Sequence, residues 1–166
     1  HLATENALID SGISYTILRN GWYTENYAGS IAGAIQAGSF IGSAGNGRIS
    51  SATREDFAEA AAVVLTTAGH ENKIYELAGD EAYTLTDFAA EISKQTGKNI
   101  PYKNLPEADF ASVLVAVGLP EGFAKILADS DFKAAKDVLF SEDKSLSKLI
   151  GRPTTPMATV VGKFIS

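Results

Sequence analysis

Apolar and polar positions along the first 80 residues alternate between helical and strand-like spacing. Residues 2–10 carry apolar side chains at helical spacing and are followed by Ser11-Gly12, a typical helix end. The β-branched and aromatic run 13–18 then predicts a strand, and residues 73–77 predict another. Because a strand follows a helix after a tight glycine turn, the pattern predicts an α/β fold with a parallel sheet.

The character of the chain changes after residue 80, and above all after Pro106. Three apolar stripes at helical spacing follow, on Phe110, Val113, Leu114 and Val117, on Phe123, Ile126 and Leu127, and on Leu146, Leu149 and Ile150. We therefore predict two regions, an α/β region over 1–80 and a mostly helical lobe over 81–166. Their elements interleave, and a single unit is the alternative.

Two helix starts and one glycine-rich turn have local signatures. Thr53 and Thr84 each precede an aspartate by three residues, which predicts helix caps. The run Gly42–Gly47 leads into another strand rather than into a helix, so we predict a hairpin with Asn46-Gly47 at its turn instead of a phosphate-binding loop. The chain contains neither a Gly-x-Gly-x-x-Gly loop nor a Gly-Lys-Ser/Thr loop.

Composition narrows the possible functions. The 166 residues are 45% hydrophobic and 20% charged with a net charge of −6, which disfavours nucleic acid as a partner. With no cysteine, a disulfide framework and a thiolate metal site are excluded, and a reducing cytoplasm is the expected location. No apolar run is long enough to span a bilayer. The two histidines, His1 and His70, lie far apart in sequence, which disfavours a metal site, and the chain has no Gly-x-Ser-x-Gly motif that would indicate a hydrolase triad.

The segment 19–27 is the strongest candidate site, because ligands of open α/β sheets bind beyond the carboxyl ends of the strands. Asparagine amides can pair with a carboxamide, and aromatic rings can stack on a flat ring. The segment concentrates such side chains at Asn20, Trp22, Tyr23, Asn26 and Tyr27. The same aromatic residues could instead be large core residues, and the sequence leaves both interpretations open.

Several motifs together resemble the NmrA-like group of atypical short-chain dehydrogenases/reductases, and within it the bacterial NAD(P)H:quinone oxidoreductases. The resemblance rests on the run from His1 through Thr4-Glu5 to residues 12–27, and on four later stretches. These are Ser51-Ala52-Thr53-Arg54-x-Asp56, Tyr75–Gly79, Ala128–Asp131 and Leu149–Thr155. It implies the C-terminal part of a Rossmann-like NAD(P)-binding fold with a partial parallel sheet, plus a small α-rich substrate lobe.

The resemblance also implies a chemistry, the reduction of quinones by hydride transfer from NADPH or NADH. It implies that Asn20, Gly21, Trp22 and Asn26 face the cofactor and that Tyr27 and Phe110 face the substrate. His1 or Tyr23 would donate a hydrogen bond to the reacting oxygen. His1 occupies a position where related reductases carry a catalytic lysine, and this departure argues against lysine-type proton chemistry. The alternative interpretation of His1 is a chain-end residue without a catalytic role.

The resemblance further implies that this chain begins after four or five strands of the sheet, so that the phosphate-binding half is absent from it. We therefore expect the chain to be inactive alone. NmrA-like regulators that bind dinucleotides without turnover provide an alternative function. An open sheet edge at Ser14–Leu18 would permit pairing with another chain or formation of a homo-oligomer.

Overall fold

The computed structural model describes residues 1–165, which form nine helices and four strands. In chain order they are α1 (Leu2–Asp10), β1 (Thr16–Asn20), α2 (Thr24–Ala28), α3 (Ile31–Ala37), β2 (Phe40–Gly42), α4 (Arg54–Thr66), β3 (Lys73–Leu77), α5 (Leu85–Thr96), β4 (Tyr102–Asn104), α6 (Glu107–Ala116), α7 (Glu121–Ala134), α8 (Ser145–Ile150) and α9 (Met157–Ile165). Within residues 1–165, no helix has both the length and the apolar character needed to cross a membrane.

The strands form two parallel pairs, as expected for an α/β fold. β1 pairs with β3, from Thr16 opposite Lys73 to Asn20 opposite Leu77. β2 pairs with β4, with Phe40 opposite Tyr102. Since β1 and β3 run in the same direction, their carboxyl ends lie side by side, and the segments that follow both strands meet at one edge of the sheet.

The predicted hairpin at Asn46-Gly47 is wrong. Residues 40–42 pair with β4 and not with the chain after the turn, while Ile49 forms an antiparallel bridge with Tyr83. A Cβ added to Gly47 would lie 2.0 Å from the Ala134 carbonyl oxygen. Gly47 is therefore explained by the close approach of the end of α7 and not by a hairpin turn.

Both predicted helix caps are confirmed. The Thr53 hydroxyl accepts a hydrogen bond from the Asp56 amide at the start of α4. At the start of α5, Thr84 and Asp87 form a reciprocal capping box. Each cap satisfies backbone donors that the first turn of a helix leaves unpaired.

The main hydrophobic core draws on residues of α2, α3, β2, α5, α7 and α9, with the rings of Tyr27, Phe40, Tyr83 and Phe88 packed together near its centre. On α7 the predicted apolar face is wrong, because Phe123 and Ile126 are 53% and 61% exposed. The buried face of α7 carries small residues and one acid: Ala124, Ala128, Asp131 and Ala134. Small side chains let this helix approach the glycine-rich segment closely.

The buried carboxylate of Asp56 and the partly buried carboxylate of Asp80 hold the segment that precedes α9. Asp56 accepts hydrogen bonds from the amide and the hydroxyl of Thr155 at 2.9 and 3.0 Å, and pairs with Arg152 at 2.8 Å. Asp80 accepts from the Thr154 amide at 2.9 Å and from the Ser147 hydroxyl at 2.8 Å. Burial acts to raise the pKa of both carboxyls, but the hydrogen bonds outweigh it and hold each pKa below the ordinary value of 3.8.

These two carboxylates should make stability depend on acid. A folded-state pKa below the unfolded value gives stability that is complete above the unfolded pKa and is lost as the pH falls through the folded pKa. We therefore expect the urea midpoint to fall as the pH drops below about 4. Asp80→Asn should flatten this dependence, and an unchanged slope in that variant would contradict the assignment.

Candidate functional site

The loop that follows β1 is held on two sides. The Gly21 amide donates to the Leu77 carbonyl oxygen at 2.9 Å, which ties the loop to the end of β3. On its other side, Thr24 donates to the Ala52 carbonyl at 3.0 Å and Ala52 donates to the Trp22 carbonyl at 3.1 Å. The loop is thereby fixed at the carboxyl edge of the sheet, where α/β folds bind ligands.

A series of three buried hydroxyl groups, linked by hydrogen bonds, supports the same loop. The Thr24 and Ser51 hydroxyl oxygens are 2.8 Å apart, and those of Ser51 and Tyr83 are 2.5 Å apart. Burial raises the pKa of Tyr83 to about 12, so this hydroxyl keeps its proton at neutral pH. This series of hydroxyl groups joins the start of α2 to the segment before α4 and to Tyr83, the bridge residue before α5.

One groove next to the loop, the α1 groove, lies between α1 and β1 and has a volume of about 620 Å³. His1, Asn20 and Tyr23 all line it. The Tyr23 ring meets the Phe57 ring edge-on at 5.4 Å, and the Arg54 guanidinium lies over Tyr23 at 4.9 Å from the ring centre. These contacts fix the ring, while the Tyr23 hydroxyl makes no hydrogen bond to another residue within 1–165.

A second groove, the strand-end groove, lies at the carboxyl ends of β1 and β3 and has a volume of about 420 Å³. Asn20, Gly21 and Trp22 line one part of it, and residues 138–141 line another. The two grooves share Arg19 and Asn20, so they meet at the end of β1. This volume lies in the range of small-molecule sites.

Behind the loop lies an inner cavity of about 50 Å³, lined by Trp22, Asn26, Tyr27, Phe110 and Asp131 among others. The Tyr27 hydroxyl donates to Asp131 Oδ1 at 3.0 Å, and the Ser43 amide donates to Oδ2 at 2.9 Å. Burial raises the pKa of Asp131, although these two hydrogen bonds act in the opposite direction. Burial and the neighbouring Asp131 also raise the pKa of Tyr27, which keeps its proton.

A further groove, more voluminous than these three concavities, lies between α6 and α7. It has a volume of about 950 Å³ and is lined by residues such as Ala111, Val115 and Lys125, but by none of the predicted site residues. Within residues 1–165 no group of three or more histidine, aspartate or glutamate side chains is arranged to hold a metal ion. The candidate site is therefore the strand edge, where most of the predicted site residues lie, and not the groove between α6 and α7.

Known proteins match the chain over its full length. It is 60% identical over 166 residues to quinone oxidoreductase 2 of Escherichia coli, covering all of this chain and 58% of that relative. It is also 24% identical to an NmrA-like family domain-containing oxidoreductase of Aspergillus flavus, covering 99% of this chain and 54% of the relative. No protein-family model matches the chain.

Solved structures give the same result. The NADPH-dependent quinone oxidoreductase of Escherichia coli, complexed with NADPH, superposes with a TM-score of 0.96 at 58% identity, over all of this chain and 59% of that one. The triphenylmethane reductase of Citrobacter sp., complexed with NADP(H), superposes with a TM-score of 0.94 at 35% identity, over 98% of this chain and 57% of that one. The chain is similar to quinone oxidoreductases and to an NmrA-like oxidoreductase. It spans less than two thirds of the relatives it matches, and it corresponds to their C-terminal portion.

The expected fold, a C-terminal part of a Rossmann-like fold with a partial parallel sheet and helices after it, is confirmed. The structure divides the predicted site residues between neighbouring concavities. His1, Asn20 and Tyr23 share the α1 groove, and Asn20, Gly21 and Trp22 share the strand-end groove. The roles assigned to these residues stay predictions.

Asn26, Tyr27 and Phe110 lie apart from both grooves, at the inner cavity. Tyr27 and Phe110 are buried, and the Asn26 amide oxygen accepts from the Arg54 guanidinium at 3.2 Å. Trp22 lines both the strand-end groove and the inner cavity. The substrate role of Tyr27 and Phe110 stays a prediction.

Sequence reasoning did not single out Asp131 as a site residue. Its signal is an acid in helical register with Ala124 and Ala128, on what becomes the buried face of α7. A buried acid needs hydrogen-bond donors, and such residues are enriched near functional sites. The Trp22 indole nitrogen was also missed, and it is a buried donor without an acceptor within residues 1–165.

Proposed function

We propose that this chain forms the substrate side of an NADPH-dependent reductase that transfers hydride to quinones. The observation that carries the proposal is the loop Asn20–Tyr23, which is fixed at the carboxyl edge of the sheet where two grooves meet. The Escherichia coli relative, at 60% identity, is a quinone oxidoreductase, and its structural counterpart is described as NADPH-dependent.

The residues at this edge fit the nicotinamide end of the cofactor. The Asn20 amide makes no hydrogen bond to another residue within 1–165, and its donor and acceptor atoms match those of a carboxamide. A Cβ at Gly21 would lie 2.9 Å from the Leu77 carbonyl oxygen, so only glycine lets the loop pass this close to β3. NADPH supplies the hydride when it is bound, and we propose that a part of the natural protein outside this chain holds its phosphates.

The quinone would lie in the strand-end groove, because the inner cavity of about 50 Å³ holds water but not a ring. Negative charge develops on the quinone oxygen as the ring is reduced, and a nearby donor stabilises it. His1 and Tyr23, which line the adjoining α1 groove, are the side chains that we propose for this hydrogen bond. The proposal requires the reacting oxygen to lie near Asn20, where the two grooves meet.

The test compares the natural protein that contains this chain with the chain alone. We expect the natural protein to oxidise NADPH when 1,4-benzoquinone is present, and the chain alone to show no NADPH binding by calorimetry. Asn20→Ala should lower kcat/KM about tenfold, which corresponds to the loss of one hydrogen bond. Asn46→Ala, an exposed asparagine outside all of these cavities, is the matched control.

Absence of quinone-dependent oxidation in a folded natural protein would overturn the proposal. Tight NADPH binding without turnover would favour the regulatory alternative, in which the same loop senses the cofactor. NADPH binding to the chain alone would instead show that the phosphates are held by residues of this chain.

A further inference from the structure

The wall of the strand-end groove opposite the loop is formed by residues 138–141, which belong to neither helix nor strand. This wall is nevertheless fixed. The Ser50 amide donates to the Leu139 carbonyl at 2.9 Å, and the Ser50 hydroxyl donates to the Ser141 carbonyl at 2.9 Å. The Ser141 amide in turn donates to the Ser50 hydroxyl oxygen at 3.1 Å. One serine thus holds both ends of the wall.

A second set of contacts fixes the residue before the wall. The Arg48 amide donates to Asp137 Oδ1 at 2.7 Å, and the Arg48 guanidinium pairs with Oδ2 at 2.9 Å. The same guanidinium lies 3.6 Å from the centre of the Phe140 ring. Asp137 has a φ of 58°, in the left-handed region that side chains other than glycine seldom adopt. Such a conformation persists where its surroundings determine it, and it recurs at ligand sites.

Between these two anchors, Val138 is 63% exposed and lines the strand-end groove. The wall cannot turn this side chain inward without breaking the hydrogen bonds of its neighbour Leu139. An apolar side chain held in a groove with a few polar groups is typical of a small-molecule site. Asn20 provides such a polar group at the far side of the groove.

We infer that Val138 determines which quinones the site accepts, by limiting the size of the ring system in the strand-end groove. This inference rests on the proposed function and adds a residue to it. With the reacting oxygen near Asn20, the remote edge of the quinone extends along the groove towards residues 138–141. The inference requires that a small benzoquinone ends short of Val138 and that a fused second ring reaches it, since both Asn20 and Val138 line this groove. The substrate class is therefore flat quinones of one or two rings.

Val138→Phe tests this inference, with Val117→Phe as the matched control. Val117 is similarly exposed, at 67%, but lies at the end of α6 and lines none of the grooves. In the natural protein, we expect Val138→Phe to lower kcat/KM for 1,4-naphthoquinone about tenfold relative to 1,4-benzoquinone. Val138→Ala should raise kcat/KM for 1,4-naphthoquinone relative to that for 1,4-benzoquinone. Val117→Phe should leave this ratio of the two kcat/KM values unchanged.

A second readout does not depend on turnover. Trp22 is the only tryptophan of the chain and lines the same groove, so quinone binding should quench its fluorescence. We expect Val138→Phe, but not Val117→Phe, to weaken quenching of the chain by naphthoquinone. Equal ratios and equal quenching in the two variants would overturn the inference. Failure of the natural protein to reduce any quinone would instead count against the proposed function, and the quenching result would still decide the role of Val138.

Discussion

Replacing Asp56 with alanine is expected to lower the free energy of unfolding by about 3 kcal/mol. The Asp56 side chain is fully buried, and it accepts hydrogen bonds from both the amide and the hydroxyl of Thr155. Its loss leaves these donors without an acceptor and removes one of the two carboxylates that pair with Arg152. Because leaving buried donors unpaired is more costly than losing the bond itself, the effect should exceed that of a surface substitution.

Urea unfolding of the chain measures this difference, and Glu55→Ala is the control. Glu55 lies on the same first turn of α4 but is exposed, so its loss should change the free energy by less than about 0.5 kcal/mol. Asp56→Asn keeps one acceptor oxygen, so its loss in free energy of unfolding should lie between those of Asp56→Ala and Glu55→Ala. A loss no larger for Asp56→Ala than for Glu55→Ala would show that the segment before α9 is not held by this carboxylate.

Gly79→Ala is the second substitution for which we expect a large loss, again about 3 kcal/mol. A Cβ at this position would lie 2.0 Å from the Ser51 carbonyl oxygen, and the Gly79 amide donates to the Ser50 carbonyl at 2.9 Å. The backbone at Gly79 must therefore move away from the backbone at Ser51. Since the Ser51 hydroxyl lies against Thr24, the shift should also reach the loop after β1.

Gly33→Ala provides the opposite control for the same measurement. Gly33 lies within α3, and a Cβ there would meet no other atom within 4 Å. Alanine is favoured over glycine inside a helix, so this variant should gain about 0.5–1 kcal/mol. If the thermal unfolding midpoints of Gly79→Ala and Gly33→Ala shifted in the same direction, the close approach at Gly79 would not determine stability at that position.

The features predicted correctly from the sequence are those that depend on neighbouring residues. A helix cap joins residues three apart, and both Thr53 and Thr84 cap as expected. The strand before the glycine-rich run, predicted at residues 39–41, was given the wrong partner, because its true partner β4 lies about 60 residues further along. The exposed Phe123 shows the same limit, since spacing identifies an apolar face but not whether another element covers it.

The candidate site divides in the same way. The loop after β1 was identifiable because its place depends only on the strand before it, and the structure puts it at the meeting point of two grooves. Asp131 and Tyr27 are separated by 104 residues in sequence, so no local pattern indicates their hydrogen bond. Val138 was equally hidden, because it becomes part of a groove only through the contacts of its neighbours with Arg48 and Ser50.

The order of the two strand pairs along the chain has a consequence for synthesis and folding. β2 lies between β1 and β3 in sequence, and β3 lies between β2 and β4, so the two pairs interleave. Cutting the chain anywhere between Asn20 and Tyr102 would separate at least one strand from its partner. Each pairing also closes a long loop, which slows folding. A ribosome must therefore extend the nascent chain past Asn104 before both pairs can form, and until then each unpaired strand edge is open to association with other chains.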